Sequence, residues 1–176
     1  MHVNSSRRTF TKGKNTNQIN IKIKEEKTMA TKDMFSKERV SFDLKSDTKD
    51  AVISELIEIL YKDGKVTDKE ELKKAVLHRE EEFSTGIGMG IAIPHGKCSA
   101  VTEAAITFGL SKNGIDYESM DDKPAQLFFL IAVPENSSDI HLKALSEISR
   151  KLMHTEVRDK IYAAKNFEEF IKVFEE

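Results

Sequence analysis

The stretch Ala125-Gln-Leu-Phe-Phe-Leu-Ile-Ala-Val133, stopped by Pro134, limits what this chain can fold into more than any other. It is far shorter than the run of about 20 apolar residues that a membrane-spanning helix needs. It is apolar without alternation and rich in branched and aromatic residues, which suits a central strand covered on both faces. Such a strand needs helices on each side of its sheet, and the flanking sequence supplies them. Asp47/Thr48 opens a helix whose Val52, Ile53, Leu56, Ile57 and Leu60 recur at i, i+3, i+4, and Asp63-Gly64 ends it. Thr67-Asp-Lys-Glu70 reads as a capping box introducing a helix through Leu72, Val76 and Leu77. Ser138 reads as the cap of a helix carrying Leu142, Leu145, Ile148 and Leu152. Two short helices follow, near Glu156–Ala164 and Phe167–Phe174, the second with an Asn166-x-x-Glu169 cap. Further strands are expected at Glu38–Leu44, Ala104–Leu110 and Ile115–Tyr117. The predicted class is α/β: one domain with a mixed sheet of about five strands flanked by helices.

A chain of 176 residues, 39% hydrophobic and 33% charged, can bury one substantial core. Its formal net charge of −2 provides no global field for nucleic acid or an anionic membrane. Cys98 is the single cysteine, so an internal disulfide is excluded and a reducing, cytoplasmic setting is expected. Residues 1–28 stand apart, with seven Lys/Arg against Glu25 and Glu26, a net of +5, and few, aperiodic apolar residues. That composition predicts either a disordered basic tail or a translated leader ahead of a natural start at Met29, because Lys24-Glu-Glu-Lys-Thr-Met29 is how a purine-rich ribosome-binding site and start codon would translate. The domain proper is then 29–176, with no secretory signal and no inserted membrane segment.

The chemistry concentrates in Gly86-Ile-Gly-Met-Gly-Ile-Ala-Ile-Pro-His95-Gly-Lys-Cys98. A P-loop needs four residues between its glycines and Ser/Thr after the lysine; Gly90 and Gly96 are separated by five, and Cys98 follows Lys97. A dinucleotide fingerprint puts its third glycine where Ile91 stands, and Pro94 obstructs the helix that should follow. The histidines at 2, 78, 95, 141 and 154 form no His-x-x-x-His pair, so no metal site is expected. There is also no Gly-x-Ser-x-Gly elbow. Two readings of the stretch remain. One is a tight turn with an incidental histidine. The other is a phosphohistidine site, in which a neutral imidazole attacks through one nitrogen while the other is held by a hydrogen bond. Amides around Gly86, Gly88 and Gly90 would orient the ring or the phosphoryl group, and Ile91, Ala92 and Ile93 would wall out water.

Taken whole, Arg79-Glu-Glu-Glu-Phe-Ser-Thr-Gly-Ile-Gly-Met-Gly-Ile-Ala-Ile-Pro-His95 resembles the active-site segment of the bacterial sugar phosphotransferase system enzyme IIA, fructose–mannitol type. The resemblance runs from about Lys37 to the C-terminus and includes the apolar strand before Pro134 and His141-Leu-x-x-Leu145. It implies that His95 accepts a phosphoryl group from the histidine-containing phosphocarrier protein and passes it to a cysteine of enzyme IIB, with phosphoenolpyruvate the ultimate donor and no cofactor. It makes His141 the active-site neighbour of His95, and Arg79 a phosphoryl-binding or ring-supporting cation. Without the resemblance, His141 reads as a core histidine near a helix N-terminus and Arg79 as a surface charge; His78 and His154 read as helix-surface residues. Tyr117-Glu-Ser-Met-Asp-Asp-Lys-Pro124 departs from the family, where many members carry Trp and Gly before a Pro-Val pair. A fructose-like sugar is the preferred specificity. The rival roles are a nitrogen-type regulatory paralogue and an interaction module whose His95 is never phosphorylated.

Overall fold

The computed structural model describes residues 30–137 and 139–175; the predicted tail or leader, Met29 and Ser138 lie outside them. Ala125–Pro134 forms strand β6 at the centre of the sheet. Alternation sends Leu127, Phe129, Ile131 and Val133 into one apolar core and Phe128, Leu130 and Ala132 into a second core on the opposite face. All seven side chains are fully buried, which explains the unbroken apolar run.

Around β6 lie β1 (Val40–Ser41), β2 (Gly86–Gly88), β3 (Ile91–Ala92), β4 (His95–Cys98) and β5 (Ala105–Ile115). The order along the sheet is β1-β5-β6-β3-β2, with β4 also pairing β6, which makes six strands. β5 runs antiparallel to β6, whereas β3 and β4 run parallel to it in one continuous register: Ile91 opposite Leu127, Ala92 opposite Phe128 and His95 opposite Ile131. β3 and β4 thus occupy a single sheet position, interrupted where Pro94 has no N–H for the ladder. The Pro94 carbonyl still accepts from Ile131 N–H at 2.9 Å.

Helices α1 (Lys49–Lys62) and α2 (Lys69–Glu82) cover one face of the sheet; α3 (Ile140–Leu152), α4 (Thr155–Ala163) and α5 (Phe167–Glu175) cover the other. Thr48 caps α1 by accepting from Ala51 N–H, and the five apolar residues expected on its inner stripe are buried. Asn166 and Glu169 cap α5 reciprocally as expected, at 2.9 and 3.1 Å. On the α3 side, Phe35, Phe108, Phe129, Phe170 and Phe174 form an aromatic cluster in which Phe108 and Phe170 stack at 4.5 Å between centroids.

Local chemistry moved several boundaries. Thr67 binds the Ala100 carbonyl through both N–H and hydroxyl, so Asp68 caps α2 instead, accepting from Glu70 and Glu71 N–H at 2.9 and 3.1 Å. Of the expected Glu38–Leu44 strand only Val40–Ser41 forms, and Glu38 and Arg39 are taken by a 3-10 turn at Lys37–Arg39. The turn buries Arg39, whose guanidinium donates to the Met34 carbonyl at 2.9 Å and pairs with Asp63. The two strands expected at Ala104–Leu110 and Ile115–Tyr117 are one, β5, with a register irregularity between Leu110 and Ile115. α3 begins at Ile140, with Asp139 in the N-cap position and no side-chain cap, which puts His141 second in the helix rather than third. Leu142 is exposed; Ala144 turns inward with Ile148 and Leu152.

Candidate functional site

His95 opens β4 immediately after the Pro94 interruption. Strand alternation decides its direction. Gly96 faces α2 so closely that a Cβ there would lie 2.8 Å from Val76 Cγ2, so His95, one residue back, and Ile93, three back, point to the α3 face. Both line a cavity of about 580 Å³. Its other apolar walls are Phe83, Ile87, Met120 and Leu145; Arg79, Glu118 and Ser149 add polar groups. Phe83 and Met120 are 79% and 80% exposed, an apolar rim open to solvent.

The His95 ring is fixed by one hydrogen bond. Nδ1 lies 2.9 Å from the Ile93 carbonyl, and a carbonyl can only accept, so the proton sits on Nδ1 and the free lone pair on Nε2. Burial holds the ring's pKa below the ordinary histidine value, opposed by the Ile93 bond; Arg79 and His141 push it further down, and Glu80 pulls it up. The result is a neutral imidazole with a defined nucleophilic nitrogen.

Arg79 lies in the last turn of α2 and lines the same cavity, with Nη1 donating to the Phe83 carbonyl at 2.9 Å. His141, near the start of α3, is not among the side chains that line the cavity. It lies four residues before Leu145 and eight before Ser149, on the helix face that lines the cavity, and its charge state bears on His95. Burial holds its pKa down as well, assisted by Lys97, and its buried Nδ1 has no hydrogen-bond partner among the described residues. His78 is exposed on α2, as expected, whereas His154 is exposed but stands in the N-cap position of α4 rather than on a helix face; neither lines this cavity.

The glycines work differently from the expectation. Gly88, Met89 and Gly90 all have positive φ (84°, 57° and 77°) and form the tight turn between β2 and β3. That turn is committed elsewhere: Met89 N–H donates to Asp121, and the Gly90 carbonyl accepts from Gln126 and Leu127 N–H. Gly86 N–H donates to Ser84 Oγ. The Ile93 carbonyl, not a glycine amide, orients the ring. Of the expected apolar wall only Ile93 lines the cavity; Ile91 is core on the same side, and Ala92 faces the α1/α2 core.

Sequence reasoning passed over Glu80, which stands inside the motif and is only 8% exposed. Its carboxylate accepts from Thr85 N–H at 3.1 Å, the Thr85 hydroxyl and the Tyr117 hydroxyl at 3.0 Å, and pairs with Lys49 at 3.1 Å. A signal was available, since Leu72, Val76 and Glu80 recur every four residues on the buried stripe of α2.

Residues 33–176 match the family described as "Phosphoenolpyruvate-dependent sugar phosphotransferase system, EIIA 2". The chain is 42% identical over 145 residues to the PTS system fructose-specific EIIABC component of Bacillus subtilis, a match covering 82% of this chain and 23% of that protein, so it spans under a quarter of that relative. It is also 42% identical over 129 residues to the PTS system fructose-specific EIIA component of Haloferax volcanii, covering 73% of this chain and 84% of that one. Among solved structures, the nitrogen regulatory protein IIA-Ntr of Neisseria meningitidis superposes with a TM-score of 0.75 at 25% identity, covering 81% of this chain and 97% of that chain. Enzyme IIA mannitol of Escherichia coli, solved in complex with phosphorylated enzyme IIB, shares the fold with a TM-score of 0.68 at 24% identity, covering 80% and 96%.

Proposed function

Because this chain belongs to the EIIA type-2 family of the phosphoenolpyruvate-dependent sugar phosphotransferase system, we propose that His95 is the residue on which it carries the phosphoryl group. The observation that carries this reading is the Nδ1–H···O bond to Ile93, which leaves Nε2 as the nucleophile of a ring kept neutral by burial. Nε2 attacks the phosphorus of the phosphorylated histidine phosphocarrier protein; the new P–N bond forms as the donor's breaks. A cysteine thiolate of enzyme IIB then attacks the same phosphorus, and Nε2 leaves as neutral imidazole. The Arg79 guanidinium offsets charge on the phosphoryl oxygens. A neutral His141, whose Nδ1 has no hydrogen-bond partner among the described residues, serves as a further donor to them through its ring N–H.

The apolar rim of Phe83 and Met120 supports brief docking of both partners and exclusion of water from a phosphoramidate that water would hydrolyse. No described helix is long and apolar enough to cross a membrane. A fructose-type sugar is supported by 42% identity to two fructose-specific relatives, against 33% and 36% to nitrogen regulatory proteins of Bradyrhizobium diazoefficiens and Klebsiella oxytoca.

The test is incubation with phosphoenolpyruvate, the general phosphotransferase enzyme and the histidine phosphocarrier. One phosphoryl group should be gained, labile in acid and persistent in alkali, because protonating the phosphoramidate makes its nitrogen a good leaving group. His95→Ala should abolish it with the fold intact. Stoichiometric label in that variant, or none in the wild type, would sink the reading.

A further inference from the structure

We infer that Glu80 is a positioning residue for the His95 imidazole, acting through Thr85 and the Ile93 peptide. The inference rests on the phosphoacceptor reading of His95. A carboxylate removed from water is costly unless its lone pairs are used, and Glu80 uses both oxygens. Oε2 accepts from Thr85 N–H and faces Lys49, each at 3.1 Å. Oε1 accepts from the hydroxyls of Thr85 and Tyr117. Its sequence neighbours Glu81 and Glu82 are exposed.

What Glu80 pins is the segment that pins the ring. Thr85, held through both amide and hydroxyl, presents its carbonyl to Ile93 N–H at 3.0 Å, and the Ile93 carbonyl accepts His95 Nδ1–H at 2.9 Å. The hydrogen bonds therefore run unbroken from the Lys49–Glu80 pair to the nucleophilic ring. Glu80 binds Thr85 rather than His95 and does not line the cavity, so it reaches no reacting atom. Its effect is on where the Ile93 carbonyl stands, and through it on which nitrogen of His95 carries the proton. The same carboxylate ties in the loop after β5, through the Tyr117 hydroxyl and through Lys49, which also pairs with Glu118 at 2.7 Å. Glu118 lines the cavity, so the brace holds two of its walls.

Two substitutions separate reach from charge. Glu80→Gln keeps the reach: its carbonyl can serve Thr85 N–H and Lys49 while its NH₂ donates to the two hydroxyls. Glu80→Asp keeps the charge and withdraws it by one methylene. The readouts are the ¹⁵N–¹H spectrum of the His95 ring in unphosphorylated protein at neutral pH, and phosphoryl transfer from the phosphocarrier protein over a range of its concentrations. Wild type should show His95 as the Nδ1–H tautomer, and Glu80→Gln should preserve it, with kcat within about threefold of wild type. Glu80→Asp should show mixed tautomers and a kcat lower by about tenfold or more, with KM within about twofold, because a misplaced nucleophile loses rate rather than docking.

A wild-type tautomer and kcat in Glu80→Asp would overturn the inference. So would a loss in Glu80→Gln as large as that in Glu80→Asp, since the amide keeps the reach and reach could not then be the cause, or a loss confined to KM. If Glu80→Asp does not fold, Tyr117→Phe removes one donor from Oε1 and keeps the ring; it should shift the tautomer balance the same way to a smaller extent, and an unchanged spectrum would count against Glu80. Should wild type accept no phosphate, the phosphoacceptor reading falls alone, since the tautomer comparison needs no transfer.

Discussion

At His95 the structure combines a held proton with a depressed basicity, and the two have different sources. The Ile93 carbonyl selects the tautomer, and burial lowers the pKa, with Arg79 adding to that fall. Removing Arg79 removes a cation that disfavours imidazolium, so in Arg79→Ala the His95 pKa should rise and the acid limb of phosphate acceptance should move to higher pH. Measured rate against pH in both proteins checks this; a limb that does not move withdraws Arg79 from the site. The same depression has a stability consequence. A histidine with a folded pKa below its unfolded value of about 6.5 binds fewer protons when folded, so its contribution is complete above that value and is lost as pH falls through the window beneath it. His141, whose pKa is also held down by burial, acts in the same direction. His141→Ala should leave His95 able to take phosphate but slow its exchange with partners by about tenfold or more, as loss of one donor to a developing charge does. Wild-type exchange rates would leave His141 a purely structural residue.

At the scale of elements, one sheet position does most of the positioning. β3 and β4 share an edge of β6, and the Pro94 interruption between them is where the ring emerges. β4 is then held from behind by α2, through the approach of Gly96 to Val76 and Leu72. A methyl group at position 96 would lie 2.8 Å from Val76 Cγ2 and 3.2 Å from Val76 N, so strand or helix must move. Gly96→Ala should therefore cost about 1–3 kcal/mol, as overpacking does, and should also slow transfer, because β4 carries His95 and α2 carries Arg79 and Glu80. Denaturant midpoints and phosphate acceptance measured on the same preparation test both parts. Full activity together with full stability would mean that this contact does not set the site.

Over the whole molecule, the two cores have different duties. The core on the α1/α2 face holds α2, Tyr117 and the back of β4, and so stands behind the site. The other is filled by the phenylalanine cluster that docks α5 onto β5 and β6. Phe170 is fully buried and packs against Phe35, Phe108, Phe129 and Phe174. Phe170→Ala should lower stability by about 3–5 kcal/mol. The fraction that stays folded should still accept phosphate at close to the wild-type rate, because the cluster lies outside the cavity around His95. Denaturant unfolding and a phosphorylation assay on the folded fraction check both; a specific loss of transfer without a loss of stability would contradict the division.

The sequence alone determined what depends on local chemistry and periodicity. The unbroken run Ala125–Val133 required a doubly covered strand, and the i, i+3, i+4 stripe of α1 required a buried helix. The segment from Arg79 to His95 carried its family likeness in the identity and order of its residues, so the phosphoacceptor candidate was legible before any coordinate. Tertiary structure decided whatever depends on competition for partners. Whether Thr67 or Asp68 caps α2 turned on the Ala100 carbonyl 33 residues away. Whether Glu38 and Arg39 begin a strand or a 3-10 turn turned on a buried place for Arg39. Whether a glycine amide or the Ile93 carbonyl orients His95 turned on Asp121, which occupies the turn's Met89 amide. Glu80 stands in a run of three glutamates that composition cannot tell apart; only the packing of Thr85, the Tyr117 loop and Lys49 of α1 against the end of α2 gives that one carboxylate four donors and leaves its neighbours in water.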